Sequence, residues 1–188
     1  GKRRLAELLR ELCRMDFHWI RLHYLYPDEI DQELIDVIAE EPKIVKYLDI
    51  PIQHLSDKIL RAMNRRGNGA LISDVISTLR EDIPDLVLRT SIIVGFPGEG
   101  EEEFEELCRL LPGYHFQRAG VFTFSAEEGA PAAAMPDQVP EPVKTKRSAE
   151  LLALEKEMSK AYRASFLGRE TEVLMEEPVE IGGARYMV

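Results

Sequence analysis

Cysteine is scarce in this sequence, with Cys13 and Cys108 as the only two examples among 188 residues. Their number and separation exclude a zinc knuckle, a CxxC redox pair and a disulfide scaffold. Each falls on the apolar stripe of a predicted helix, so we expect both to be small buried hydrophobic residues in a reducing compartment. The sequence also lacks any apolar run near the roughly 18–20 residues of a membrane span, and we expect no signal peptide because a basic start leads directly into an amphipathic helix. These absences predict a cytoplasmic globular protein.

Positive charge is also in short supply, since 24 basic residues stand against 34 acidic ones and the formal net charge is −10. Because phosphate backbones are bound through Lys and Arg, this balance argues against nucleic acid as the main partner. It is compatible with a basic protein partner, although many acidic enzymes have none.

Helices alternate with strands along the first 124 residues. A helix with a regular apolar stripe runs to Met15, and strands are predicted at 19–26, 47–51, 86–94 and 119–124, with helices between them at about 31–40, 56–63, 70–81 and after Gly98. This alternation indicates a parallel sheet, and right-handed crossovers leave either an open doubly wound sheet or a barrel. Since four strands cannot close a barrel, we expect an arc of one or a small open sheet.

The character of the sequence changes after Phe124. Residues 125–142 are rich in Ala, Pro and acidic residues and are predicted to form a long irregular connection. A long helix is expected over 143–166, and 171–175 is predicted as a strand that opens a small β domain. The predicted units are a partial barrel at 1–135, a linker and long helix at 136–168, and the start of a β domain at 169–188.

The carboxyl ends of the predicted strands carry aromatic, polar and glycine residues, and parallel sheets bind ligands at these ends. They are the segments 24–28, 49–54, 95–99 and 123–127. Their convergence predicts a small-molecule pocket. Asp49 lies inside an apolar strand and needs a partner, either in an ion pair with Arg65, Arg66 or Arg89, or in a hydrogen bond to a ligand hydroxyl or ammonium. Gln53 and His54 follow on the same strand, where His54 is either a ligand contact or a solvated or capping residue.

The turn at 95–98 is the second feature that points to a ligand. Gly95 and Gly98 permit close backbone approach. A phosphate at the following helix is disfavoured, because that helix begins with carboxylates that already complement its dipole. An apolar or purine surface beside Phe96 and Pro97 is the better interpretation.

Several ungapped blocks, namely WIRLHYLYP, YLDIPIQH, ILRAMNRRG, LRTSIIVGFPGE and GVFTFSAEEGAPAA, together resemble the RimO family of radical S-adenosylmethionine (SAM) methylthiotransferases. The later stretch LGRETEVLMEE looks like the start of the C-terminal TRAM domain of that family. The tRNA-modifying relatives typically carry a valine-and-serine version of the DIPIQH block. Asp49, His54 and Tyr24 therefore favour the branch that modifies a ribosomal protein.

The resemblance implies a (β/α)6 partial TIM barrel, of which this chain holds about the last four strands, with SAM bound across their ends. It implies that the parent enzyme adds a methylthio group to the β-carbon of an aspartate in a small-subunit ribosomal protein. A reduced [4Fe–4S] cluster cleaves SAM to a 5′-deoxyadenosyl radical in that family, and a second cluster takes part in supplying sulfur. Arg21 and Tyr24 are expected to contact the substrate. The expected cofactor-binding residues are Asp49, Gln53, His54, Arg65, Gly95, Phe96, Pro97 and Gly98.

The sequence departs from this family in its cluster ligands. The CxxxCxxC loop and the three further cysteines of an N-terminal domain are missing, and thiolates are what such clusters need. We therefore predict no metal ligand in this chain, cluster ligands outside it, and no activity of the chain alone; the sulfur donor is not identifiable. Gly100 also stands where the family usually has a capping Thr.

Three other functions are weighed against this one. They are a tRNA-modifying methylthiotransferase of the same superfamily, a non-catalytic scaffold that binds a ribosomal partner, and a complete small α/β enzyme that uses Asp49, Gln53 and Glu99. The last is disfavoured because no nucleophile–base pair is visible. The missing barrel strands also predict self-association through the exposed edge of the 19–26 strand.

Overall fold

A parallel three-stranded sheet lies at the centre of the fold. The structure is a computed structural model that describes residues 3–170, 172 and 175–187. Its order is β1 (Tyr47–Asp49), β2 (Val87–Val94) and β3 (Arg118–Thr123). The helices are α1 (Leu5–Cys13), α2 (Gln32–Glu40), α3 (Asp57–Ala62), α4 (Gly69–Asp82), α5 (Glu101–Leu110) and α6 (Glu141–Ala164). The predicted α/β class with parallel strands is confirmed.

The central strand β2 has two different faces. Leu88, Thr90, Ile92 and Val94 are buried, whereas the residues between them are only partly buried. Because successive strand residues point to opposite sides of a sheet, the buried set forms the core beneath the helices. The other side, which carries Arg89, Ser91 and Ile93, is here called the open face.

The segment 19–26 differs from its prediction as a strand. It forms one isolated bridge, Ile20 with Ile44, and its further backbone bond to this sheet edge runs from the Leu25 amide to the Asp49 carbonyl at 2.9 Å. Tyr24 has φ +57°, which leaves the β region and interrupts the ladder. The described sheet therefore has three strands rather than four. Self-association through this edge stays a prediction.

The last part of the chain follows the predicted outline. Residues 125–140 are irregular apart from a short 3₁₀ turn at Pro131–Ala134, and α6 then runs for 24 residues. A hairpin of β4 (Pro178–Ile181) and β5 (Ala184–Met187) turns at Gly182 and Gly183. The strand predicted at 171–175 lies largely outside the described residues, and its assignment to a TRAM domain stays a prediction, as do the domain boundaries. No helix within the described ranges is long and apolar enough to cross a membrane.

Candidate ligand site at the carboxyl ends of the strands

A hollow of about 620 Å³ opens at the carboxyl ends of the strands, and we call it the strand-end hollow. Its walls combine aromatic rings with a few polar groups, as small-molecule sites commonly do. The lining residues are Tyr24, Leu25, Tyr26, Pro51, Gln53, Arg65, Ser91, Ile93, Phe122, Thr123, Phe124 and Ser125.

Two lining residues hold an unusual backbone conformation. Tyr24 has φ +57° and Gln53 has φ +69°, in the left-handed region that non-glycine residues rarely occupy. Gln53 is nevertheless fixed in the sheet, because its amide donates to the Ser91 carbonyl at 2.9 Å and its carbonyl accepts from the Ile93 amide at 2.8 Å. Strain of this kind collects at ligand sites, where the surrounding structure enforces it.

Arg65 forms the basic part of the wall. It follows α3, and its Nη2 donates to the Pro51 carbonyl at 2.8 Å. Its guanidinium also lies 4.8 Å from the centre of the Tyr26 ring, a cation–π contact. These contacts tie the loop after β1 to the segment 19–26 and leave a positive charge at the rim of the strand-end hollow.

The turn at 95–98 stands behind the wall rather than in it. The Phe96 ring is buried and meets the lining ring of Phe124 edge-on at 5.0 Å. Gly95 has φ +76°, and a Cβ there would collide with Cγ of Lys144 on α6. The Lys144 amine donates to the Phe124 carbonyl at 3.0 Å. The first turns of α6 therefore hold the ends of both β2 and β3.

His54, Glu99 and Arg147 form a buried ion cluster beside that turn. Nη1 of Arg147 donates to the carboxylate of Glu99 at 2.8 Å and to its carbonyl at 2.9 Å. The Gly95 amide also donates to the Glu99 carboxylate at 2.9 Å. Nδ1 of His54 accepts from the Ser56 amide at 2.9 Å, and its Nε2 lies 3.5 Å from the Glu99 carboxylate. The cluster fixes the 95–99 turn between β1 and α6.

Asp49 forms an ion pair with one of the three arginines considered in the sequence analysis. Its Oδ2 lies 2.7 Å from Nη1 of Arg89, the residue paired with it in the β1–β2 register. Arg65 instead binds the Pro51 carbonyl. Asp49 thus lies on the open face below the strand-end hollow.

The predicted site residues divide into two groups. Tyr24, Gln53 and Arg65 line the strand-end hollow. The others do not: Arg21 stacks over the Tyr47 ring at 4.0 Å, and His54 is fully buried. The remaining residues outside the lining are Asp49, Gly95, Phe96, Pro97 and Gly98. Contact of these residues with a ligand stays a prediction.

Some residues of the site were not singled out from the sequence. Ser91 and Ile93 could have been found from the two-residue alternation along β2, since they share the face of Arg89. Lys144 and Arg147 carried no signal, because a basic residue in an exposed helical pattern is ordinarily solvated. Their burial depends on α6 folding back over the sheet.

The described residues do not provide a cluster site. No group of three or more Cys, His, Asp or Glu side chains could hold a metal ion within the described ranges. Burial raises the pKa of the Cys13 thiol, and it raises the pKa of Cys108 to about 11. Both therefore favour the thiol over the thiolate that an iron–sulfur cluster binds.

A parallel α/β sheet with a ligand-sized hollow at the carboxyl ends of its strands defines a ligand-binding domain of the α/β barrel type. The model of the radical SAM superfamily matches residues 2–111, more than half of the chain. The chain belongs to this superfamily, which implies SAM and a [4Fe–4S] cluster as cofactors.

Curated relatives of similar sequence share one name within this superfamily. The chain is 49% identical over 181 residues to the ribosomal protein uS12 methylthiotransferase RimO of Anaeromyxobacter sp. (strain Fw109-5). The aligned residues cover 96% of this chain and 38% of that protein. It is 49% identical over 177 residues to the protein of the same name from Lachnoclostridium phytofermentans, covering 94% and 40% of the two chains. The chain thus spans about two fifths of the length of these relatives.

A solved structure supports the fold. Coproporphyrinogen III oxidase (HemN) from Escherichia coli, a radical SAM enzyme, superposes with a TM-score of 0.64 at 22% identity, over 82% of this chain and 36% of that one. At this identity the likeness concerns the fold alone.

Proposed function

We propose that the chain forms the SAM-binding part of a radical SAM methylthiotransferase that modifies an aspartate of ribosomal protein uS12. The strand-end hollow is the observation that carries this proposal. Its size of about 620 Å³ falls within the range of about 300–1,000 Å³ that suits such ligands. It lies where parallel sheets bind cofactors, and the names of the curated relatives supply the reaction and the ribosomal substrate.

The walls of the hollow offer complementary groups to each part of SAM. Phe122 and Phe124 present aromatic surface that suits the adenine, and Phe96 supports Phe124 from behind. Gln53 offers an amide to the ribose or to the polar groups of the methionine portion. The Arg65 guanidinium suits the SAM carboxylate, since its planar fork of N–H donors matches the two carboxylate oxygens. Bound SAM supplies the radical precursor and the methyl group; the residues of this chain bind and orient it.

We propose that the cluster chemistry depends on residues that this chain does not supply. Cys13 is buried and Cys108 is partly buried, and no group of three or more possible metal ligands occurs among the described residues. We therefore propose that the ligands of both expected clusters lie on polypeptide outside this chain. We accordingly expect the chain alone to bind SAM weakly and to carry out no methylthiolation.

The proposal is tested with a polypeptide extended to the length of the curated relatives, reconstituted anaerobically with iron and sulfide. It is incubated with SAM and either uS12 or tRNA, and the products are analysed by mass spectrometry. We expect one methylthio group on an aspartate of uS12 and none on tRNA. Modification of tRNA alone would assign the protein to the other branch, and binding of uS12 without modification would favour a scaffold.

A matched pair of variants connects this activity to the strand-end hollow. Gln53→Ala removes an amide that lines it, and we expect the Kd for SAM to rise about tenfold, since a hydrogen bond contributes about 0.5–1.5 kcal/mol. Gln32→Ala removes the same side chain from α2, where it contacts Asp36 and Asp82. The control should bind SAM like the parent, and equal effects of the two substitutions would contradict the assignment.

A further inference from the structure

The Asp49–Arg89 pair lies one layer deeper on the open face than the strand-end hollow. Arg89 stands two residues before Ser91 on β2, so both side chains are on the same side of the sheet. Asp49 is the register partner of Arg89 on β1. The pair therefore lies on the same face as the hollow, outside its lining and nearer the amino ends of the strands.

The hydrogen bonding of this pair is incomplete. Asp49 is 3% exposed in its side chain, and its Oδ1 atom has no hydrogen-bond partner among the described residues. A guanidinium has five N–H donors, and the acceptor recorded for Arg89 within the described ranges is Oδ2 of Asp49. Buried polar atoms are nearly always paired. The N–H donors of Arg89 that do not bind Asp49 are therefore available to a carboxylate that enters the hollow.

Arg89 is the accessible member of the pair. The Arg89 side chain is 30% exposed. Gly120 on β3 makes room above it, since a Cβ at that position would lie 3.5 Å from Nη2 of Arg89 and 3.1 Å from the ring of Phe122, which lines the hollow. Arg21, whose guanidinium covers the ring of Tyr47 two residues before Asp49, adds positive charge to the same face.

We propose that Arg89 and Asp49 select the acidic side chain of the protein substrate. The planar fork of Arg89 binds the carboxylate of the acceptor aspartate through its free N–H groups, as guanidinium–carboxylate pairs do. Asp49 holds this fork in position through the ion pair of its Oδ2 with Nη1 of Arg89. The inference rests on the proposed function and adds to it the residues that distinguish an acidic acceptor from its neutral isostere. Arg21, whose charge lies on the same face, offsets the second carboxylate brought to Arg89.

The test uses the extended polypeptide and two uS12 peptides that differ only in Asp or Asn at the acceptor position. Binding is measured by calorimetry, and methylthiolation by mass spectrometry. We expect the parent to bind the Asp peptide about ten- to hundredfold more tightly than the Asn peptide, the range for hydrogen bonds to a charged group. The double variant Asp49→Asn/Arg89→Gln keeps the shape of the pair without a buried charge and should lose this preference.

Two further variants make the result specific. Arg89→Lys keeps the charge but not the planar fork, so it should retain the ion pair with Asp49 and lose most of the preference. Arg66→Gln removes one guanidinium from an exposed position beside the hollow and should leave the preference intact. If the double variant does not fold, as judged by circular dichroism, Arg89→Lys decides the question.

The outcomes separate the two proposals. The selection role is overturned if the parent shows no preference for the Asp peptide, or if the preference is unchanged in both the double variant and Arg89→Lys. Methylthiolation by the parent would still uphold the proposed function in either case. An equal loss in Arg66→Gln also overturns it, since general charge would then explain the preference. Failure of the parent to bind SAM and to modify uS12 overturns both.

Discussion

Replacing Arg147 with methionine removes one half of the buried ion cluster and keeps most of the side-chain volume. Glu99 would retain a single close donor, the Gly95 amide at 2.9 Å, because Nε2 of His54 is 3.5 Å away and too distant for a good hydrogen bond. The side chains of Arg147 and Glu99 are 6% and 0% exposed, so water cannot replace the lost contact.

The expected loss follows from this burial. Removing one partner of a buried ion pair costs about 3–5 kcal/mol, because the other charge stays buried and uncompensated. The remaining Gly95 amide places Arg147→Met near the lower end, about 3 kcal/mol. The contact of Arg147 with Glu101, at 3.3 Å and with a carboxylate that is 65% exposed, adds little.

Urea unfolding followed by far-ultraviolet circular dichroism measures this loss. Lys146→Met is the control, because Lys146 is exposed and its contact with Glu150 is 3.7 Å long; its effect should stay within about 0.5 kcal/mol. The double variant Glu99→Gln/Arg147→Met should recover at least about 1.5 kcal/mol relative to the sum of the single losses. A loss below about 1 kcal/mol in Arg147→Met would refute the account of the cluster.

Three other predictions concern the same region. Gly98→Ala, at φ +82° and with no described atom within 4 Å of the new methyl group, should lower the free energy of unfolding by about 1–2 kcal/mol. Gly95→Ala must also displace Lys144 and should therefore melt at a lower temperature than Gly98→Ala; equal melting points of the two variants would contradict the packing. Hydrogen bonds from Lys58 and the Gly100 amide lower the pKa of Glu103 below 4.5, so its contribution to stability is full above pH 4.5 and is lost as the pH falls through the lowered value. Glu103→Gln should flatten the curve of unfolding free energy there, and an unchanged slope would argue against these bonds. Since the pKa of Cys108 is about 11, roughly 0.1% is thiolate at pH 8, and iodoacetamide should label it far more slowly than free cysteine; rapid labelling would mean that its surroundings open.

The sequence patterns predict the parallel sheet well because each strand carries its own signal. β2 alternates between two faces over eight residues, and α2 and α4 repeat their apolar residues at helical spacing. The failure at 19–26 has a local physical cause. Tyr24 takes a left-handed conformation that is uncommon for tyrosine and that the sequence therefore does not predict. The hydrophobic alternation continues past Tyr24, although the backbone hydrogen bonding of a strand does not.

The candidate site was predicted at the level of loops and only partly at the level of side chains. The strand ends do form a common hollow, with Gln53, Arg65 and Tyr24 in its wall. The partner of Asp49 depended on the register between β1 and β2, a relation across 40 residues that composition does not contain. Burial of His54 likewise depends on contacts made only in the folded chain, such as the 3.5 Å approach of its Nε2 to Glu99.

The central claim is that the strand ends form a SAM cradle, and titration of the ¹⁵N-labelled chain with SAM tests it most directly. The account predicts saturable shifts of the amides of Gln53, Ser91, Ile93 and Phe124, whose residues line the hollow. The amides of the β4–β5 hairpin, such as that of Tyr186, should not shift, because no residue of the hairpin lines the hollow. Shifts confined to other surfaces, or none at millimolar SAM, would contradict it.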